Sequence, residues 1–226
     1  MNNWKEFLKI YKVNENKAST LFHRHFSKNL AKLLVYLSLK IGLSPNTVSF
    51  LSTVSLFIGS ILSIKSQNIV YLLIFSQLSY ALDCSDGVIA RITMKSSING
   101  KFLDLILDRV NQLIFAWSII LFSVKVKAGD LDLLLVQGLM FSLYFIYSSI
   151  AMIRGLVLKT NRGQGIKKIN NLLYKIPYEF IDTGIFMFII TVGSFFNIDY
   201  TIAYLYLILN MVMSIGMVTI TLKDQS

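Results

Sequence analysis

Residues 69–123 read IVYLLIFSQLSYALDCSDGVIARITMKSSINGKFLDLILDRVNQLIFAWSIILFS. Two apolar runs, 69–90 and 101–123, flank the polar turn Lys95-Ser96-Ser97. Each supplies the roughly 20 residues that a helix needs to cross a hydrocarbon core about 30 Å thick. Four carboxylates interrupt them. Asp83 and Asp86 are three apart, so they share a face of one helix; Asp104 and Asp108 are four apart and share a face of the next. Counted at 1.5 Å per residue, Asp83 and Asp86 lie about 21 and 25 Å along the first helix, and Asp104 and Asp108 about 6 and 12 Å into the second. The helices run in opposite senses, so all four acids are expected at similar depth, near one membrane surface. An ionisable group within a span costs a few kcal/mol even on lenient insertion scales, and by default it marks function.

Outward from this pair, four further apolar stretches qualify as spans: 46–64, 131–153, 176–196 and 199–222. The expected fold is therefore an all-α integral membrane protein with six transmembrane helices. Composition agrees. The chain is 54% hydrophobic and 15% charged, against about 25% charged in soluble domains. One cysteine, Cys84, excludes a disulfide framework and any Cys-based zinc site. Residues 1–20 are interrupted by Lys5, Glu6, Lys9, Lys12, Glu15 and Lys17, which leaves no apolar signal-peptide core. The net charge of +10 suits an anionic lipid surface, and nucleic acid is not expected as a partner.

Basic residues set the orientation. Eight precede the first span, three join spans two and three, and six join spans four and five (Arg154, Lys159, Arg162, Lys167, Lys168, Lys175). The opposite side holds only Lys65, Lys125 and Lys127. Both termini and the acidic site are thus expected in the cytoplasm. Residues 18–41 differ from the spans. Leu21, Phe22, Phe26, Leu30, Leu33, Leu34, Leu37 and Ile41 recur at helical spacing, and Arg24, Lys28 and Lys32 form a basic row. That pattern predicts an amphipathic helix lying in the interface plane, broken by Gly42-Leu43-Ser44-Pro45-Asn46. A short buried helix over 30–43 is the plainer alternative. Two parts are expected: a cytoplasmic segment, 1–45, carrying this interfacial helix, and a six-helix catalytic part, 46–226.

Four carboxylates side by side in a low-dielectric site cannot all stay ionised unpartnered: either some hold protons or cations neutralise them. All-oxygen ligands suit Mg²⁺ or Mn²⁺, and four carboxylates balance two such ions. Two-metal sites promote displacement at phosphorus. The residues alone thus suggest phosphoryl-type transfer at a membrane surface. A polar helix contact, with Arg91 and Arg109 as partners, leaves two acids in surplus.

The spacing is more specific. Asp83-Cys84-Ser85-Asp86-Gly87-Val88-Ile89-Ala90-Arg91 is followed by eight residues, Gly100, three residues, Asp104, three residues and Asp108. This resembles the signature of the CDP-alcohol phosphotransferase (CDP-alcohol phosphatidyltransferase) family, Asp-x2-Asp-Gly-x2-Ala-Arg-x8-Gly-x3-Asp-x3-Asp, at every fixed position. Six spans, an amphipathic helix before the first, and Pro45-Asn46-Thr47 at its start extend the resemblance over roughly residues 20–222.

The resemblance implies an enzyme that transfers a substituted phosphate from a CDP-alcohol to an acceptor hydroxyl and releases CMP. It implies Asp83, Asp86 and Asp104 as ligands of two divalent ions, with Asp108 as general base and further metal contact. Gly87, Arg91, Ser97 and Asn46 resemble nucleotide contacts, and Arg154 resembles a cation for an acceptor phosphate. The residues admit blander roles: Gly87 or Gly100 as packing glycines, Ser97 as a loop residue, Asn46 as a helix cap, Arg154 as an interfacial anchor. Glu179 and Asp182 fit either an acceptor site or a helix N-terminus. His23 and His25 lack partners at metal-ligand spacing and read as surface residues, and Cys84 reads as a small buried side chain. The site's place just under the surface favours CDP-diacylglycerol as donor in phospholipid synthesis. A non-lipid CDP-alcohol or a sugar- or polyol-phosphate acceptor is compatible with the same chemistry. Membrane lipid and a homodimer are the expected partners, and a bacterial or archaeal cell membrane the expected location. A cation transporter is the rival of another class, but it calls for acids near midplane on several broken helices.

Overall fold

The computed structural model describes residues 3–15, 27–126, 130–160, 183–198, 201–206, 208, 209 and 212. These residues form helices with no strand among them: α1 (Trp4–Asn14), α2 (Lys28–Ile41), α3 (Pro45–Ser66), α4 (Val70–Ile92), α5 (Ile98–Val126), α6 (Leu131–Thr160) and α7 (Thr183–Phe195), with 201–206 helical beyond them. Among the described residues, α3 and α5 are both long and apolar enough to cross a membrane, and Leu131–Ile146 and Gly184–Phe195 are shorter apolar helices. The outer faces agree with a lipid environment: Phe50 and Phe57 of α3, Trp117 and Leu121 of α5, and Leu135 and Leu139 of α6 are all exposed.

The helix boundaries follow local chemistry. Gly42 ends α2 in the left-handed region (φ 74°), and the Leu43 N–H returns to the Ser38 carbonyl at 2.9 Å. Two residues later Ser44 caps α3, its Oγ accepting from the Thr47 N–H at 3.2 Å, with Pro45 in the first turn. The predicted break at 42–46 is therefore a C-cap joined directly to an N-cap. α3 runs two residues past the expected 46–64, because no breaker intervenes before Gln67 turns left-handed at φ 53°. α5 begins at Ile98 rather than 101, since Ser97 caps it: its Oγ accepts from the Gly100 N–H at 2.9 Å.

α3 is the hub. Its packed face, Ser49, Ser52, Ser55, Gly59, Ser60 and Ser63, is nearly all small residues, which lets backbones approach closely. It packs along α4 and α5, whereas α4 and α5 make sparse backbone contact with each other among the described residues. Hydroxyls stitch the contacts: Ser118 Oγ donates to Ser60 Oγ at 2.6 Å, and Ser55 Oγ to the Phe75 carbonyl at 3.4 Å. The main apolar core lies at one end, with Leu56, Leu72, Phe115, Met140, Tyr144 and Phe186. A second cluster gathers Phe7 and Tyr11 of α1 with Val35, Val48, Val88 and Ile89.

The amphipathic helix expected over 18–41 is seen as α2 from Lys28; residues 18–26, including Arg24, His23 and His25, lie outside the described residues. Ala31, Val35 and Ser38 face inward, and Leu30, Leu33, Leu37 and Ile41 form an exposed apolar stripe. The basic row is turned to α1: Lys28 Nζ pairs with Glu15 at 2.8 Å, and Lys32 Nζ lies 6.0 Å from the Tyr11 ring. The expected spans 176–196 and 199–222 are described only as 183–195 and in part beyond 200.

Candidate metal centre

The acids meet as rungs between α4 and α5. Because the two helices form an antiparallel pair, the residue deeper on one faces the residue deeper on the other. Asp83 lies within hydrogen-bonding reach of Asp108, and Asp86 of Asp104. Asp83, Asp104 and Asp108 each bring one carboxylate oxygen within 4.8 Å of the others. This is the juxtaposition that equal depth demanded. Asp86 adjoins that trio through Asp104; it is buried, and Ser49 Oγ of α3 donates to its Oδ2.

α3 thus supplies part of the site that its small-residue pattern did not advertise. Ser52 Oγ bonds the Ser49 carbonyl at 2.7 Å, and Asn111 Nδ2 of α5 reaches Ser52 Oγ at 3.4 Å. Asn111 is one turn beyond Asp108. Its Oδ1 is buried without a protein hydrogen-bond partner and borders a cavity of about 90 Å³ lined by Ser79, Tyr80, Asp83, Asp108, Asn111, Gln112 and Met187. A hollow of this size, with both acids in its lining, has room for about three waters. The signal that could have found Ser49 and Asn111 is helical phase: Ser49 is on the packed stripe of α3, and Asn111 continues the face of Asp104 and Asp108.

The remaining site residues fall into two groups. At the start of α5, a Cβ on Gly100 would sit 3.0 Å from Ser97 Oγ and 3.2 Å from Asn46 Oδ1. Glycine is what lets the first turn of α3 lie against that of α5. Ser97 is the cap of α5, so the loop-residue alternative gives way to a capping one; Asn46 is exposed, and the cap of α3 is Ser44 instead. On α4, a Cβ on Gly87 would meet only Arg91, 3.5 Å from its Nη1. Arg91 donates through Nε to the Asn14 carbonyl at 2.7 Å, and Arg109 through Nη1 to Gln112 Oε1 at 2.7 Å. Arg154 falls within α6. Glu179 and Asp182 lie outside the described residues.

The donor set is hard and all-oxygen, and it draws ligands from two helices onto one point. Such a set fits Mg²⁺ or Mn²⁺ and excludes the sulfur-preferring metals. A helical hairpin that converges carboxylates in this way, with an arginine one turn past its glycine, defines a metal site suited to phosphoryl chemistry. Residues 42–221 match CDP-alcohol phosphatidyltransferase, and the chain belongs to that family, a membrane-embedded group of transferases in phospholipid synthesis that act on CDP-alcohols. Among curated proteins none matches it by sequence. Among solved structures it is similar to the phosphatidylinositol phosphate synthase PgsA1 of Mycobacterium tuberculosis. With CDP-DAG bound, that structure shares 15% identity and a TM-score of 0.57, covering 84% of this chain and 92% of that one. In complex with manganese and citrate, the values are 16% and 0.58, covering 84% and 87%.

Proposed function

We propose that the protein transfers the phosphatidyl group of CDP-diacylglycerol to an acceptor hydroxyl and releases CMP, with Mg²⁺ or Mn²⁺ at the carboxylates. One observation carries this reading: Asp83, Asp104 and Asp108 converge within 4.8 Å while occupying fixed positions of the family signature. The PgsA1 structures with CDP-DAG and with manganese support the choice of donor and metal class. Six spans with both termini and the site in the cytoplasm complete it, supported by the distribution of Lys and Arg.

Asp83, Asp86 and Asp104 would hold two ions, with Asp108 touching one of them. When bound, the ions would neutralise the acids and stabilise the charge on the departing CMP. Asp108 takes the proton from the acceptor hydroxyl as its oxygen attacks the phosphorus. Its place in the lining of the cavity supports this role, since an acceptor hydroxyl there would meet it. Arg91 contacts the nucleotide phosphate, Gly87 leaves the α4 backbone open to it, and Asn46 and Ser97 border it at the start of α5. Arg154 is assigned to an acceptor phosphate, and the working assembly to a homodimer.

The test separates base from ligands. CDP-diacylglycerol binding at saturating Mn²⁺ is measured beside CMP release for Asp83→Asn, Asp86→Asn, Asp104→Asn and Asp108→Asn. Asp108→Asn is expected to bind donor most like wild type yet turn over about 10²–10⁴-fold more slowly, the usual worth of a general base. If it loses donor as badly as Asp83→Asn, Asp108 is chiefly a ligand.

A further inference from the structure

Residues 4–14 precede the stretch that matches the family, yet α1 reaches the signature. Phe7 and Tyr11 are buried against Val35 of α2, Val48 of α3 and Val88 of α4. So docked, α1 presents the carbonyl of Asn14, in its last turn, to Arg91 Nε at 2.7 Å. Helix C-termini leave such carbonyls without intrahelical partners and with partial negative charge. A guanidinium answers both needs. The end of α1 is pinned on its other side as well, through Glu15 and Lys28 at 2.8 Å.

The consequence for Arg91 is geometric. An exposed arginine swings on a long flexible stem, and its planar fork carries five donors. Once Nε is committed to α1, the plane of the fork is fixed and Nη1 lies on the Gly87 side, 3.5 Å from where a Cβ on Gly87 would be. The Nη donors are thereby aimed along the face of α4 that glycine keeps open.

We propose that α1 is a positioning element for Arg91: its terminal carbonyl orients the guanidinium to receive the nucleotide phosphate over Gly87. The assignment rests on the proposed reading of Arg91 as a nucleotide contact. If α1 docking favours nucleotide binding, the nucleotide must favour α1 docking by the same factor.

The test uses the full chain in lipid nanodiscs, with CMP and Mn²⁺ as probes. Hydrogen exchange at amides 7–14 is followed with and without CMP, and the Kd values for CMP and Mn²⁺ are measured separately. Phe7→Ala, which undocks α1, is expected to weaken CMP about tenfold or more, the scale of one hydrogen bond to a charged group, while Mn²⁺ affinity stays within about twofold. Phe7→Leu restores CMP affinity. In wild type, CMP slows exchange at 7–14, and in Arg91→Lys that slowing disappears. Unchanged CMP affinity in Phe7→Ala overturns the proposal. Tighter CMP overturns it too, since α1 would then compete for Arg91. Parallel loss of Mn²⁺ also overturns it, since α1 would then serve the fold at large. The arm without nucleotide distinguishes the two readings. Arg91→Lys alone is expected to speed exchange at 7–14, and no change there refutes the α1 contact itself. A wild type that binds no CMP, with that arm intact, refutes the nucleotide role instead.

Discussion

Removing one hydroxyl asks whether Asp86 is held ready for a metal. Ser49 sits on the packed face of α3, and its Oγ donates to Oδ2 of Asp86, a residue only 5% exposed. Asp86 also lies within hydrogen-bonding reach of Asp104 across the hairpin. Ser49→Ala deletes a single atom, so the α3–α4 packing survives while the buried oxygen loses its donor. A hydrogen bond to a charged group is worth about 1.5–3 kcal/mol, or roughly 10–150-fold in an equilibrium constant. The expected result is a loss of that size in Mn²⁺ affinity, measured by the fall in free Mn²⁺ EPR signal. CMP release falls in step at limiting Mn²⁺ and recovers at saturating Mn²⁺. Ser63→Ala is the control: that hydroxyl is also buried but, among the described residues, bonds only to the Ser60 carbonyl, at 3.0 Å, and Mn²⁺ affinity should not change. If Ser49→Ala binds Mn²⁺ as wild type does, Ser49 does not orient Asp86, and the account of how α3 completes the site is wrong.

A Cβ on Gly59 would overlap Phe75 of α4, so Gly59→Ala should destabilise the protein by about 1–3 kcal/mol, read as a lower thermal midpoint in detergent. Burial pushes the Tyr11 hydroxyl from its ordinary value near 10 up to about 12, with Glu15 and Cys84 adding and Arg91 opposing. The neutral phenol is favoured when docked, so α1 docking should be pH-independent below 10, weaken about tenfold per pH unit between 10 and 12, and lose that dependence in Tyr11→Phe, as followed by Trp4 fluorescence. Reporter fusions within 159–170 and at Ser226 should report cytoplasm and fusions at Lys127 the opposite side; an external signal from 159–170 would reverse the orientation.

The two central helices and the convergence of the four acids were legible because both rest on strong periodic signals. Acids at i, i+3 and i, i+4 on consecutive antiparallel helices can meet if they share a depth and a facing side, and Asp83 with Asp108 and Asp86 with Asp104 do so. The 42–46 break was legible because glycine, serine and proline each carry a specific backbone meaning. α1 is hard to read from sequence, because the charges Lys5, Glu6, Lys9 and Lys12 dominate its composition. Yet Trp4, Phe7 and Tyr11 recur at three- and four-residue spacing on its other face. The role of Ser49 is not legible, because a serine within an apolar helix reads as packing; which serine meets an acid depends on the phase of α3 against α4. The Nε bond of Arg91 was beyond sequence altogether, because its acceptor is a backbone carbonyl 77 residues away.

The most direct test of the central claim is to incubate purified protein with CDP-diacylglycerol, Mn²⁺ and a panel of hydroxyl acceptors, and to read the products by mass spectrometry. The account predicts CMP and a new phosphatidyl lipid in equal amounts with at least one acceptor, abolished by EDTA and restored by Mn²⁺ or Mg²⁺. Product formed at full rate in EDTA would contradict the metal-centred site. No CMP from CDP-diacylglycerol with any acceptor, while a non-lipid CDP-alcohol is consumed, would contradict the choice of donor.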